Sequence, residues 1–473
     1  MPETSRISSR RWLYGIAAFV VAVAAIVAVA LVVDHSRRPD IGPAAEIAAP
    51  SPVVDAAPPA GDDGAAPAAD TVAAALAEPV ADGALGEVTG HVTDVATGSG
   101  IWSADPDRTL VPASATKLTT ATAALLTLPV DDRVATTVLP GTEPGQLVLD
   151  GGGDITLQRT GDSGFFTDAP SIEDLAEQVT GALGGQRVTS VVVDNSVRGG
   201  DLFNSTWSTD DIAAGNVAPL GAVMVDAGRL DPTDNYSPRS GTPAADAGRA
   251  LADALGAPGI PVTVSDEPVE TSAAEGATPL GTVRSATLGT RLRDMMLHSD
   301  NLLAEAVGRE VAAARGKPQT FAGATGAVLE TLAEAGVPVD GAVLEDCSGM
   351  SEDNRLSARI LDGVLALAAG APAGDDAAGS GDRTAELRLL LDALPVAAAD
   401  GTLSDRYLTG SGAETAAGRV RAKTGTLDGV NALAGTLTTD SGRVLTFALL
   451  SNGSDQDAGR AALDRLAAAL RRV

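Results

Sequence analysis

The segment RVRAKTGTLDGVNALAGTLTTDSGRVLTFALLS, residues 419–451, carries the pattern on which the fold turns. Arg419 to Lys423 alternates as a strand does, and Ala432 to Leu437 and Val444 to Ser451 are two further runs, separated by the turn composition Asp440-Ser441-Gly442. A helix is predicted over Gln456 to Arg472, with Ala461, Leu463, Leu466, Ala467 and Leu470 on or near one face. The same signals stand far upstream. Val72 to Leu76 reads as a first helix, and the strands Val88 to Val92 and Gly100 to Ser103 flank Thr97-Gly98-Ser99-Gly100. Strands at both ends with helices between predict an α+β domain, one antiparallel sheet assembled from the two termini and covered by helices. Residues 370–382, GAPAGDDAAGSGD, read as a surface loop, and the chain shows no internal repeat.

Composition removes several classes of function. The 473 residues carry 33 basic and 62 acidic side chains, a net charge of −29, and no basic stretch that would suggest a nucleic-acid surface. The one cysteine, Cys347, excludes a disulfide framework and every CxxC motif. Three histidines, His35, His91 and His298, do not support a His-rich metal site, and a Ser-His-Asp triad would have to draw on His91 or His298. Lysine has nearly been eliminated: Lys117, Lys317 and Lys423 stand against 30 Arg. Arginine serves a solvated face equally well but cannot release its proton, so a surviving lysine marks a place where a base is useful. Lys317, in Gly-Lys-Pro, is read as ordinary residue usage.

Trp12 to Val33 is an uncharged run of 22 residues, long enough as a helix at ~1.5 Å per residue to cross a ~30 Å hydrocarbon core. It reads as an uncleaved membrane anchor. The alternative is a signal peptide, although the run exceeds the usual ~7–15 residue apolar core of such peptides. Arg6, Arg10 and Arg11 precede it and Arg37 and Arg38 follow it, so flanking charge favours a cytoplasmic N-terminus only weakly. Residues 39–69 hold seven prolines and many alanines and read as a tether.

Three short motifs carry chemistry. Pro112-Ala113-Ser114-Ala115-Thr116-Lys117 precedes Leu118, Ala121, Leu125 and Leu126, which puts Ser114 and Lys117 one turn apart near the start of an apolar-faced helix. A serine hydroxyl is a weak nucleophile until a neighbouring base takes its proton, and a lysine can do so if burial and a second cation lower its pKa from ~10.4 towards ~7–8. Alone, S-x-x-K is helix surface in most sequences. Ser299-Asp300-Asn301 precedes Leu303, Val307 and Val311, and in isolation reads as a helix cap. Lys423-Thr424-Gly425-Thr426 in isolation reads as a strand end with a turn that glycine permits. Their order, S-x-x-K, S-D-N, K-T-G, with two of the three lysines inside them, makes coincidence a poor account.

With these motifs the chain resembles the penicillin-binding protein superfamily. The 185 residues from Ser114 to Ser299 imply an inserted domain, and the resemblance is to its D-alanyl-D-alanine carboxypeptidase/endopeptidase branch, the class C low-molecular-mass penicillin-binding proteins. Leu149 to Asp154, Asp346 to Ser351 with Asn354-Arg355, and Asp400-Gly401-Thr402-Leu403 with Arg406 fit the same family. The resemblance, over roughly residues 70–473, implies a serine β-lactamase/penicillin-binding transpeptidase-like fold with an inserted domain, and the apolar run over 12–33 places a single transmembrane helix before it. The organisation expected is a cytoplasmic tail and anchor over 1–38, a linker over 39–69, the penicillin-binding domain over 70–137 and 281–473, and the insertion over 138–280.

It also implies roles. Ser114 would attack the D-Ala-D-Ala carbonyl with Lys117 as general base; Ser299 would relay a proton to the departing amine, and Asn301 would hold the substrate amide. Lys423 would supply positive potential, Thr424 and Thr426, flanking Gly425, would bind the terminal carboxylate, and the N–H groups of Ser114 and Thr426 would form the oxyanion hole. The partners implied are peptidoglycan stem peptides and, as covalent inhibitors, β-lactams, acting outside a membrane spanned by residues 12–33; no metal, cofactor or nucleic acid is expected.

Two departures accompany the resemblance. Cys347 stands where the family usually has Gly, and is read as buried and inert. The insertion, about 138–280, is shorter than in the larger members of that family, so a reduced or absent extra subdomain is expected. His298 is read as a neighbour of Ser299, His91 as a sheet residue, and Trp207, Phe165 and Phe166 as core. A β-lactamase or esterase on the same scaffold is the alternative enzyme. The deacylating Glu of class A β-lactamases sits in an E-x-x-x-N context, and Glu310, Glu330, Glu334, Glu345, Glu352 and Glu386 all lack that Asn. A non-catalytic cell-wall scaffold is the third reading, disfavoured by three intact motifs.

Overall fold

The two ends of the chain meet in one sheet. The structure, a computed structural model, describes residues 66–161, 163–272, 278–372 and 385–473. Strands β1 (Glu87–Asp94), β2 (Ser99–Ala104), β10 (Val420–Leu427), β11 (Val430–Thr438) and β12 (Val444–Asn452) lie in the order β10-β11-β12-β1-β2, every neighbour antiparallel. The register Val92↔Phe447 joins the ends directly. Both faces are covered, which is why β11 and β12 read as near-continuous apolar runs. Alternate residues serve different layers. Leu433, Leu437, Leu445, Phe447 and Leu449 pack with Val72 and Leu76 of α1 (Ala69–Val80) and with Leu463 and Leu466 of α9 (Gln456–Leu470). Ala432, Ala434, Ala448 and Leu450 face the other way, where the three small alanines admit α2 (Lys117–Thr127) and α8 (Ala358–Ala369) through Leu118, Ala121, Leu361 and Leu365.

The remaining helices of that layer are α5 (Leu288–Leu297), α6 (Asn301–Ala314) and α7 (Phe321–Glu334). A two-stranded ribbon, β3 (Thr109–Leu110) with β9 (Leu356–Ser357), leads into the Ser114 turn.

The residues between the first two motifs build a second sheet. Strands β4 (Ala135–Pro140), β5 (Gln146–Gly151), β6 (Ser190–Asp194), β7 (Val262–Ser265) and β8 (Gly281–Arg284) lie in the order β7-β6-β5-β4-β8. β5, β6 and β7 run parallel, joined through α3 (Ile172–Leu183) and α4 (Pro243–Ala254). Leu175, Val179, Ala247 and Leu251 cover Leu147, Leu149, Val191 and Val193. The segment is therefore an α/β layer pair, and its sheet takes in residues 135–137 and 281–284 on either side of the expected 138–280.

One local expectation is corrected. Lys423 does not end its strand; β10 continues to Leu427, and the turn falls at Asp428-Gly429, a two-residue hairpin loop with Gly429 at φ +66°. Gly425 serves clearance: a Cβ there would stand 2.6 Å from the Pro112 carbonyl oxygen and 3.1 Å from the Ala113 Cβ, because β10 runs hard against the Ser114 turn. The membrane span over 12–33, the tether over 39–65 and most of the loop over 370–382 lie outside the described residues. Among the described residues no helix is long and apolar enough to cross a membrane.

Candidate active site

The Ser114 turn is a short 3-10 segment, Ala113–Thr116, that feeds directly into α2. Ala113 sits at φ +47°, and the Thr116 hydroxyl donates to the Ala113 carbonyl at 2.9 Å, so the turn is held before the helix begins. Ser114 is half-buried at the floor of a cleft of about 1060 Å³, and Lys117, on the first turn of α2, is wholly buried beneath it.

The Lys117 Nζ has three neighbours: Ser114 Oγ at 2.9 Å, Asn301 Oδ1 at 2.6 Å and the Ser348 carbonyl oxygen at 2.8 Å. Two of them accept only. The Asn301 amide donates from Nδ2 to the Asn216 carbonyl at 3.1 Å, which turns its oxygen towards Lys117. A neutral amine has two hydrogens and one lone pair. Given to Asn301 and Ser348, those hydrogens leave the lone pair facing the Ser114 hydroxyl. Burial pushes Lys117 down to about 8, against the opposing pull of Asp346, Asp300 and Glu305.

The second and third motifs meet beside it. Ser299 lies between α5 and α6 at φ +55°, and the Lys423 Nζ donates to its Oγ at 2.9 Å and to the Thr424 carbonyl at 2.8 Å. Burial, then the nearby charges of Lys117 and Arg406, hold Lys423 well below the usual lysine range. Asp300 is indeed a helix cap, accepting from the Leu303 N–H at 2.7 Å, and so sets Asn301 as the first residue of α6. Thr424 donates to the Thr402 hydroxyl at 2.8 Å, and Thr424 and Thr426 line the cleft. The start of β10 is covered by residues 395–397, with Ala422 N–H donating to the Pro395 carbonyl at 2.9 Å. The Thr424–Thr426 part of this edge strand faces the cleft.

The loop from Asp346 clamps the Ser114 turn from the opposite side. Buried Asp346 accepts from the N–H groups of Gly349 (2.7 Å) and Ser351 (2.6 Å), Asn354 Nδ2 (2.9 Å) and Trp207 Nε1 (2.8 Å). Cys347 is buried and its thiol is pushed far up, by burial first and then by Glu305. Its sulfur fills the space left by Gly308, where a Cβ would stand 2.4 Å from Sγ. The departure from Gly at this position is thus met by a glycine on α6. Glu305, whose Oε1 accepts the Cys347 N–H at 2.9 Å, is pushed up to about 8 by burial and by Asp346.

His298 lines the cleft with its ring 4.8 Å from that of Phe165, while His91 sits on β1 against Asp362 at 2.6 Å and is not part of the cleft. Trp207 and Phe166 are core. Of the six glutamates weighed for deacylation, Glu352 is the one that lines the cleft; Glu310, Glu330 and Glu334 are paired with Arg291, Lys317 and Arg315. Sequence reading missed Asn216, Arg229 and Arg239, which reach the Ser299–Asn301 motif from the insertion and lie in no motif of their own.

A serine with a buried lysine one turn on, a Ser-Asp-Asn turn above it and a Lys-Thr-Gly edge strand beside it, on a helix-covered antiparallel sheet, define the class: serine hydrolases of the β-lactamase and penicillin-binding fold. The model of the D-Ala-D-Ala carboxypeptidase 3 (S13) family matches residues 72–241 and 232–473, and the chain belongs to that family. It is 47% identical over 390 residues to carboxypeptidase DacB of Mycolicibacterium smegmatis, covering 82% of this chain and 81% of that one. It is 45% identical over 394 residues to carboxypeptidase Rv3627c of Mycobacterium tuberculosis, with the same coverage of 82% and 81%. Penicillin binding protein 4 (dacB) from Haemophilus influenzae has the same fold, with a TM-score of 0.66 at 21% identity over 85% of this chain and 99% of that one. The protein is a D-Ala-D-Ala carboxypeptidase, a hydrolase.

Proposed function

We propose that this carboxypeptidase cleaves the D-Ala-D-Ala bond of peptidoglycan stem peptides through an acyl-enzyme on Ser114, with Lys117 as the base. The observation that carries the assignment is the Lys117 amine held by two acceptor-only oxygens with its third direction on Ser114 Oγ. The Ser114 proton passes to Lys117 as Oγ attacks the carbonyl carbon. Ser299, held by Lys423, relays a proton to the departing D-Ala nitrogen as the C–N bond breaks. The peptide lies extended along the exposed edge of β10, an added strand in effect, with its carboxylate at Thr424 and Thr426, beside Lys423. The N–H groups of Ser114 and Thr426 take the oxyanion. Water then attacks the ester carbonyl and gives a proton to Lys117; the acyl–Oγ bond breaks, Ser114 regains its proton and the shortened peptide leaves as a carboxylate. Carboxypeptidase and endopeptidase turnover share this acyl-enzyme and differ in the leaving amine, so mass analysis of products from muropeptide monomers and crosslinked dimers separates them.

A β-lactam carbonyl mimics the scissile amide, so a penicillin is expected to leave an adduct on Ser114 that persists for want of a suited glutamate. Peptide mapping that places the adduct on another residue, or rapid turnover of the penicillin, would overturn the assignment. The rate should also follow Lys117. The neutral amine is the active form, so acylation is expected to rise through pH about 8 and flatten above it. A rate that stays level as the pH falls well below that value would count against Lys117 as base.

Residues 12–33 would anchor the chain in the cell membrane with the catalytic part outside, where peptidoglycan lies; their length and lack of charge support this. Protease added to intact cells is expected to release a soluble fragment cut within residues 39–69. A mature N-terminus near Leu31 would instead mean that the segment is removed.

A further inference from the structure

The inserted residues reach into the site from behind. Arg229 and Arg239 pair across an antiparallel bridge, and each places Nη2 on the same oxygen, Asp300 Oδ2, at 2.7 and 3.0 Å, with all three side chains buried. Two guanidinium groups converge on one carboxylate oxygen, with Asp226 near Arg229, and simple packing would be served better by apolar side chains. Arg239 does more. Its Nε donates to the Gly215 carbonyl at 2.9 Å and its Nη1 to the Ala227 carbonyl at 2.7 Å. The residue after Gly215 is Asn216, whose carbonyl receives the Asn301 amide. Two paths from the insertion therefore end on Asn301: one through the Asp300 cap of α6, the other through the Asn216 backbone. Arg229 is seated in turn by the Phe165 ring, 3.5 Å from its guanidinium carbon, and lies near Asp226.

We infer that Arg229 and Arg239 are positioning residues for acylation: acting through Asp300 and Asn216, they set the place and orientation of Asn301 Oδ1 and so direct the Lys117 amine at Ser114. This rests on Lys117 being the base. It makes the insertion, remote in sequence from the Ser-Asp-Asn motif, a working part of the catalytic centre.

The test is the rate of acylation of the full chain by a fluorescent penicillin, followed from about pH 6 to about pH 9.5. If the wild type forms no adduct at Ser114, the reading of the site fails and not this one. Given a reactive wild type, Asp300→Asn keeps the shape and a capping oxygen. It should lower the plateau rate about tenfold or more through misplacement of Asn301. It should also move the acid limb to lower pH, since a carboxylate that favours protonated Lys117 is gone. Arg239→Met should lower the plateau similarly but move the acid limb to higher pH, because a cation has been removed. The limb reads the charge near Lys117, whereas the fall in plateau rate of the folded variants is the readout that a merely structural role would not move. Arg239→Lys and Arg229→Lys keep the charge and lose the fork; they should hold the limb in place and lose about threefold or more of the plateau rate. Wild-type rates and limbs in the folded variants would overturn the proposal whatever happens to thermal stability. Should Asp300→Asn or Arg239→Met fail to fold, unchanged plateau rates in the two Lys variants would do so alone.

Discussion

Lys117→Arg is expected to give a folded protein whose acylation by a β-lactam falls on the order of 100-fold or more. The substitution keeps the charge and most of the side-chain length, so any role confined to potential or helix packing survives it in part. A base does not survive it. A guanidinium with a pKa above ~12 cannot take the Ser114 proton near neutral pH, and it has no lone pair to present where the amine now faces Oγ. Lys117 is wholly buried, and the guanidinium is bulkier than the ammonium, so a stability cost of about 1–3 kcal/mol accompanies the change. Rates are therefore compared per folded molecule, with unfolding followed separately. A variant that acylates at near wild-type rate would show that the proton leaves by another route, and His298, which lines the same cleft, would be the first group to replace.

Gly349→Ala is expected to cost about 4 kcal/mol or more, or to leave a folded protein with Ser114 displaced. Gly349 sits at φ +82°, and a Cβ there would stand 1.8 Å from the Ala113 carbonyl oxygen and 2.8 Å from the Thr116 hydroxyl. Both atoms belong to the turn that carries Ser114. Relief has to come from backbone, since the Asp346 loop is pinned by four hydrogen bonds on one carboxylate and the opposing turn by α2. The control is Gly442→Ala, at φ +87° with nothing within 4 Å of the added carbon, where only the dihedral strain of about 1–2 kcal/mol applies. Urea midpoints and acylation rates measured side by side would separate strain from collision. Equal losses at the two positions would mean that contact with the Ser114 turn is not what Gly349 protects.

Much of the main sheet is legible along the chain, and the reason is local. The strands Val88 to Val92, Ala432 to Leu437 and Val444 to Ser451, and the closing helix from Gln456, all carry hydrophobic periodicity with turn residues between them. The parallel sheet of the insertion is not legible in the same way. Val191, Val192 and Val193 form a short apolar run, the first and last buried by α3 and α4, and such a run does not say which strands flank it. Lys423-Thr424-Gly425 misleads for a related reason: glycine signals a turn by default, and the need to clear the Pro112 carbonyl is a property of packing.

The sequence by itself determined which groups carry the chemistry proposed above. Ser114 and Lys117 lie one helical turn apart, so their contact follows from local geometry once a helix starts there, and two of the chain's three lysines stand in the motifs that meet at the site. What only the tertiary structure decided is how that chemistry is held. Asn301, Ser348, Asn216, Arg229 and Arg239 come from segments up to 231 residues away from Lys117, and no periodicity relates them. The direction of a lone pair, the depth of burial that brings Lys117 to about 8, and the closeness of Gly349 to the Ser114 turn depend on which surfaces are pressed together. Local sequence encodes backbone preference and periodicity; the environment of a buried group is the sum of its neighbours, and those are set when the sheet, the helices and the insertion close on one another.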